Sequence, residues 1–527
     1  MGTAPDRVLF SPSCLRPSDP LIARDIYQGQ FTFSGRTVEA GRASIFKAVP
    51  PSPAWDDDLH RFAWLRHLES AGTQLAADNA RALIGDWITQ NSARMRGTAW
   101  KPHICAARVT AWLQHSKFIL LNSDHGFYRR FMSSLARQMR YLRIRAVGME
   151  NTIEHLHVRM ALAFTSLALP TSAATISRAG AHLEKQLKIQ ILPDGGHISR
   201  NPDALTDILV NLLPLIQLYI AAAKPVPLEL KRAVDRMFPR LRFFRHSDGR
   251  IAHFHGGGIG RSEIVAAVLR NDKTNGAVGE VAPQSGYRRL GAGDSVLIAD
   301  MGKPVMGANG RANHASALSF EFSSNRSLIV INAGVDPLQR DFYKRPARAS
   351  AAHSALVLDD QSSAHFQSFS WQQSSDVRLL CGPTNVEIQG WDTETGHGFL
   401  GRHNGYVKSL GLWHERGYLL GADGKSLSGY DRLTPESTRH SSVHKADIRF
   451  HLHPSVTVQA GSSDDTVQLT TDKGDIWLFS AVGAKPIVEE SIYFAGVTGP
   501  VYTSQIVVQF SYPEIDSVQW RFDRLSA

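Results

Sequence analysis

Residues 317–334 read ALSFEFSSNRSLIVINAG, and they decide the fold class of the second half of the chain. From Ala317 onward Leu318, Phe320 and Phe322 fall on one face, with Ser319 and Glu321 on the other. That period of two is the signature of a β-strand. SLIVINAG (327–334) is a second strand, and the pattern recurs outward in both directions. SVLIAD (295–300), HSALVLDD (353–360), RLLCG (378–382), TVQLTTD (466–472), DIWLFSA (475–481) and SVQWRFD (517–523) are separated by Asn, Asp, Gly and Ser turns. No helical pattern interrupts them, which excludes parallel βαβ units and predicts an antiparallel β-sandwich or stacked sandwiches.

Upstream the period is that of helices. In DLHRFAWLRHLESAG (58–72), Leu59, Phe62, Leu65 and Leu68 recur every three residues and Gly72 follows as a stop. ALIGDWITQN (82–91), ICAARVTAWLQHSKFILLN (104–122), the stretch 127–145 with arginines on its outer side, and 152–168 are further helices. Asn201-Pro202-Asp203 is a well-formed helix start, leading into the apolar stripe Leu205, Ile208, Leu209, Leu212 and Ile216, with Pro214 expected to bend it. Many medium helices with short turns suggest paired helices in a toroid or solenoid. The character changes around residues 265–285, so the expected organisation is a helical domain over 1–275 and a β-sandwich domain over 276–527.

The chain has 527 residues, 43% hydrophobic and 20% charged, an ordinary globular composition too long for one core. Its net charge of +10 favours a polyanionic partner. With no block of like charges and no aromatic-basic recognition motif, nucleic acid is not the expected partner. Cys14, Cys105 and Cys381 are odd in number and scattered, and are read as buried or idle thiols. No run of about eighteen apolar residues is present to span a membrane. The N-terminal stretch has no apolar core of a secretion signal, which on its own predicts the cytoplasm.

Several polar residues stand out. In LPDGGHISRNP (192–202) a tight Asp-Gly-Gly turn precedes His197, and Arg200 is placed to address an acid group. HFHGGG (253–258) puts His253 and His255 beside a glycine-rich backbone at the join of the two halves, a preferred place for a pocket. The GGGIG at 256–260 lacks the context of a nucleotide loop. His314 stands at the mouth of the decisive strand, and Arg345 and Arg348 precede His353, which is flanked by small residues. For such a histidine the residues leave three roles open: metal ligand, base, or hydrogen-bonded core residue.

Helices followed by DGGHxxRNP, then HxxxLSFEF, AAHSALVLDD, RFHLHP (449–454) and EESIYFAG (489–496), resemble the heparinase II/III-like family over most of the chain, particularly a branch common in alphaproteobacteria. The resemblance implies an N-terminal α/α toroid and a C-terminal antiparallel β-sandwich. It also implies β-elimination on a uronate-containing polysaccharide such as a glycosaminoglycan. In that chemistry a base takes the C5 proton, cationic or hydrogen-bonding groups neutralise the carboxylate, and an acid protonates the departing O4. The expected acid and base groups are His197, His314, His353 and Tyr287, in a cleft between toroid and sandwich. Arg200, Arg345, His253 and His255 are the expected substrate contacts. The family's zinc-binding histidine matches His314 and its later one His353, but the Asp ligand falls on Asn332, so the implied structural zinc site is degenerate and no cofactor is required. The family's catalytic histidine falls on Ala312 and its catalytic tyrosine on Ala204. An Asn-His pair expected on a toroid helix falls within 151–157, NTIEHLH. Two functions therefore stand side by side: a polysaccharide lyase, and a catalytically degenerate glycan-binding or cell-envelope assembly protein on the same fold. The resemblance implies the cell envelope or periplasm as location, and a homodimer is left open.

Overall fold

The computed structural model describes residues 5–41, 43–258, 261–274, 276–366, 379–437, 443–461, 463 and 465–525. Ile259 and Gly260 of the glycine-rich loop, Asn275 at the expected domain boundary and Arg378 of RLLCG lie outside the described residues. The chain forms two compact units. One comprises Met1–Ile191, Ala204–Phe238 and Glu263–Thr274, the other Leu192–Asp203, Pro239–Ser262 and Asn275–Ala527. The DGGH and HFHGGG segments thus belong to the same unit as the strands.

The first unit is helical. Helix Pro102–Gln114 packs on Ile153–Ala168, which in turn packs on Ala173–Gln190, and His125–Arg145 packs on Gln74–Asn91. The single helix expected over 58–72 is instead two, Pro53–Arg61 and Leu65–Ala71. Phe62 breaks it by adopting a left-handed backbone (φ 60°), which turns its ring into the core. There it meets the edges of Trp87 and Trp112, whose own centroids are 5.6 Å apart. Arg108 is buried among them, 4.0 Å from the Trp87 ring, and donates to Gln138 Oε1 (2.8 Å) and the His60 carbonyl (3.0 Å). Asn201 caps the following helix as expected, its Oδ1 accepting from Asp203 N at 2.9 Å. That helix, Asp203–Ala221, is the one among the described residues long and apolar enough to cross a membrane, yet 67% of its apolar window is buried inside the protein. It is a core helix with Pro214 inside it.

The second unit is built on two antiparallel sheets. One runs, in spatial order, Val386–Gly390, Gly396–Tyr406, Leu412–Gly421, Ser426–Pro435, Ser517–Leu525, Ile476–Val482, Thr466–Thr470 and Thr457–Ala460. The other runs Pro486–Tyr493, Val501–Tyr512, His444–Leu452, Ser327–Ile331, Phe320–Ser324, Ser295–Asp300, Tyr287–Ala292 and Val281–Ala282, with Leu356–Leu358 also paired to His444–Leu452. Their inner faces share one apolar core, in which Phe320 of one sheet stacks on Trp520 of the other at 5.6 Å. Face-to-face packing of two such sheets is a β-sandwich.

The decisive strand starts later than its pattern suggested. Leu318 adopts φ 57° and its N–H donates to the Asp300 carbonyl (2.9 Å), so the ladder begins at Phe320. Glu321, on the face opposite Phe320 and Phe322, is 1% exposed. The outer face is covered by residues 246–253, where His246 Nε2 and the His253 N–H each reach Glu321 Oε2 at 3.0 Å.

Candidate functional site

Two of the polar residues singled out in the sequence, Arg200 and His255, converge within the sandwich unit on the carboxylate of Asp300, at the end of strand Ser295–Asp300. Arg200 donates to Asp300 Oδ1 and also to the carbonyls of Ser285 (2.7 Å), Lys303 (2.9 Å) and Gly286 (3.0 Å). Ser316 Oγ donates to Asp300 Oδ2 (2.7 Å), Gly302 N donates to Oδ1 (3.2 Å), and His255 Nε2 lies 2.9 Å from Oδ2. Burial alone would raise the Asp300 carboxyl, but Arg200 and His255 outweigh it and hold it well below the usual carboxylate range. Arg200 itself sits at φ 63°, a backbone turn fixed by the Tyr287 hydroxyl, which donates to the Arg200 carbonyl at 2.6 Å.

Beside this network lies the histidine pair. His314 Nδ1 and His353 Nε2 are 2.9 Å apart, His353 Nδ1 lies 2.7 Å from the Ala349 carbonyl, and Gly256 N donates to His314 Nε2 at 3.1 Å. The tautomers follow from these partners. A carbonyl requires a proton on His353 Nδ1, which leaves its Nε2 an acceptor; His314 Nδ1 must then donate, and its Nε2 accepts. Every ring nitrogen is occupied with both rings neutral. Burial, reinforced by the neighbouring imidazoles, pushes His314 well below its usual value and His353 down to about 4. The gap lined by Arg200, His255, Asp300, His314 and Ser316 has no room for a water molecule.

The residues do not fit a zinc ion. Two imidazole ligands at 2.0–2.1 Å in a tetrahedral shell stand about 3.3 Å apart, wider than the hydrogen-bonded pair, and each would have to give up a partner. Asn332 is engaged elsewhere: its N–H donates to Glu321 Oε1 (3.0 Å) and its Oδ1 accepts from Ser354 N (3.2 Å). Among the described residues no group of three His, Cys, Asp or Glu is arranged to hold a metal.

The remaining candidates are dispersed. His197 is 2% exposed, with Nδ1 2.7 Å from Ser199 Oγ. Tyr287 is buried beneath Phe244 and Phe254, and that burial raises its hydroxyl well above its usual value. His253 stacks on Tyr493 at 5.9 Å. Arg345 is exposed on a short turn, and it is Arg348 that reaches inward, donating from Nε to the Asn313 carbonyl (2.9 Å). Ala312 is exposed, and its methyl fills the space into which a side chain on Gly256 would project. Sequence reasoning missed Asp300, Glu321 and His246: the two acids signalled only as a carboxylate ending a strand or falling inside one, and His246 gave no local signal.

The C-terminal part, residues 274–521, matches the model of the heparinase II/III-like C-terminal domain. FtsZ-localized protein C of Caulobacter vibrioides is 30% identical over 457 residues, covering 85% of this chain and 78% of that protein. Crystal structures with the same fold include heparinase III (TM-score 0.70, 12% identity, 91% of this chain and 79% of that one) and a heparan sulfate lyase HepC mutant from Pedobacter heparinus (TM-score 0.63, 15% identity, 97% and 84%). An α/α-toroid helical part followed by an antiparallel β-sandwich, joined by these matches, makes the chain a member of the heparinase II/III-like family.

Proposed function

We propose that this protein works by binding rather than by turnover: a catalytically silent member of the family that holds an anionic, uronate-containing glycan as part of cell-envelope assembly. The observation that carries this is the closed His314–His353 pair next to Ala312. β-Elimination needs a base whose free nitrogen reaches the C5 proton of the sugar. Here both imidazoles are neutral, buried and hydrogen-bonded at all four nitrogens, and the position that carries the lyases' histidine carries a methyl group. Arg200, the natural partner for a substrate carboxylate, is closed on Asp300 instead. Ala204 in place of the catalytic tyrosine is consistent with the same reading.

Charge supports the anionic partner. Helix His125–Arg145 carries six arginines (Arg129, Arg130, Arg137, Arg140, Arg143 and Arg145), all exposed, and no acidic residue. A relative 30% identical is named for its localisation with FtsZ, and we extend that association to this chain as part of the proposal. The test is equilibrium binding to heparan sulfate, chondroitin, alginate and a bacterial exopolysaccharide. Salt-sensitive binding to at least one uronate chain, with no 4,5-unsaturated product, supports the reading. Release of unsaturated product would establish the lyase instead, as the likeness to heparinase III favours.

A further inference from the structure

The sandwich unit contains a second polar constellation, which shares no residue with the Asp300 network. It lies at one edge of the sandwich, where strand Tyr287–Ala292 of one sheet meets strands Val386–Gly390 and Gly396–Tyr406 of the other, around a cavity of about 170 Å³. One water takes up roughly 30 Å³, so the space admits a molecule the size of one sugar ring. The floor is apolar: Leu290 and Phe399, both part of the sandwich core. The rim is polar and comes from both sheets, with Arg288 and Glu280 on one side and Asp392 and His397 on the other.

The backbone places each rim residue. Side chains alternate along a strand, so Arg288 shares the inner face with Leu290. Arg289 points the other way and donates to the carbonyls of Phe243 (3.3 Å) and Arg245 (3.2 Å). Its own N–H donates to the Glu280 carbonyl at 2.9 Å, which holds Glu280 beside the strand. Across the cavity, Trp391 N donates to the Gly398 carbonyl (2.9 Å) and Thr393 N to the Gly396 carbonyl (3.0 Å). That turn presents Asp392 and His397 3.4 Å apart. Gly390 pairs with Phe399, and a Cβ on it would meet nothing within 4 Å, so the mouth is open at that point.

The Arg288 guanidinium is the informative group. It is half-buried, yet it makes no hydrogen bond or ion pair with any described residue. Burial lowers it from its usual value, and the charge of Glu280 offsets only part of that. A guanidinium drawn out of water without a partner is relieved by a bound carboxylate, which accepts two parallel N–H···O bonds from it. The two acids of the rim repel a doubly charged phosphate and instead accept from hydroxyl groups. They are not a cation site: among the described residues no three ligands are grouped for a metal ion. One carboxylate, several hydroxyls and an apolar C–H face occur together in a sugar acid.

We infer that this cavity holds one uronate residue of a glycan, its carboxylate on Arg288, its hydroxyls on Glu280 and Asp392, and its C–H face on Leu290 and Phe399. The inference rests on the glycan-binding reading above and adds a place where a single sugar is held.

The experiment uses the full chain in ligand-observed NMR titrations with D-glucuronate, D-glucose and a glucuronate-containing oligosaccharide, with binding of the uronate polymers measured alongside. The expected result is millimolar binding of glucuronate and tighter binding of the oligosaccharide, with glucose several-fold weaker than glucuronate. Arg288→Gln should weaken both acids about tenfold and leave glucose unchanged. Gly390→Trp, which sends a side chain into open space, should abolish binding of all three without moving the melting temperature by more than a few degrees. Glucuronate binding that is absent, no stronger than glucose binding, or unchanged in both variants overturns the inference, and the proposed function survives if the polymers still bind. Binding of free glucuronate without the oligosaccharide overturns the assignment to a glycan.

Discussion

Asp300→Asn is the substitution whose consequence is fixed most tightly by the structure. The change keeps the shape of the side chain and removes its charge, leaving the Arg200 guanidinium 5% exposed with no counter-ion. Stranding one member of a buried ion pair costs about 3–5 kcal/mol. The mismatched amide also disturbs the hydrogen bonds from Ser316 and Gly302. Against a domain stability of about 5–15 kcal/mol this is a large fraction. With a urea m-value of about 3 kcal/mol/M, a loss of 4 kcal/mol lowers the midpoint of the sandwich transition by about 1.3 M. Arg200→Gln should cost a comparable amount, and the double substitution less than the sum, because no charge is left unpaired. The acid limb should change as well. A carboxyl depressed in the folded state contributes its full stabilisation above its unfolded pKa of about 3.9, and loses it as pH falls through the lower folded value. Asp300→Asn should therefore flatten the loss of stability below about pH 4. Urea melts by tryptophan fluorescence measure all three variants; a cost under about 1 kcal/mol for Asp300→Asn would refute the claim that this pair organises the site.

Three further outcomes are expected. Purified protein should bind well under one equivalent of zinc by atomic absorption, and a full equivalent lost on substituting His314 or His353 would contradict the hydrogen-bonded account of that pair. Stability should fall from about pH 6.5 downward, because histidines depressed in the folded state (His353 to about 4, His451 to about 3) are protonated first in the unfolded chain. Each such group contributes up to about 1.4 kcal/mol per pH unit in that window, so His451→Gln should reduce the slope of urea midpoint against pH by one proton's worth. Replacing Arg130, Arg137 and Arg140 together by Gln should weaken glycan binding several-fold and lower its salt dependence without moving the melting temperature by more than a few degrees; unchanged affinity would remove that helix from the binding surface.

The division into a helical and a strand-built part was legible because period 3.6 and period 2 are written into the apolar residues, and burying an apolar face demands them. The same logic misplaced details wherever a single backbone angle intervened. Phe62 carries the right spacing for a continuous helix, yet its left-handed conformation splits that helix in two. Leu318 fits the strand alternation, but its positive φ delays the ladder by two residues. Among the site residues, His314 and His353 could be picked out because each begins a recognisable motif. Arg200 was visible too, but its partner was not: Asp300 lies a hundred positions away and closes the guanidinium that seemed available. Pairings of that kind are made by tertiary packing, which local pattern does not encode.

Loss of β-elimination on this lyase scaffold is the core of the proposed function. It is tested most directly by incubating the purified protein at high concentration with heparan sulfate, chondroitin, alginate and bacterial exopolysaccharide, and following the ultraviolet absorbance of the 4,5-unsaturated uronate over many hours. A flat trace is expected for every substrate, including one that binds; a protein-dependent rise that persists after repurification and disappears on substituting His314 or His353 would overturn the proposal.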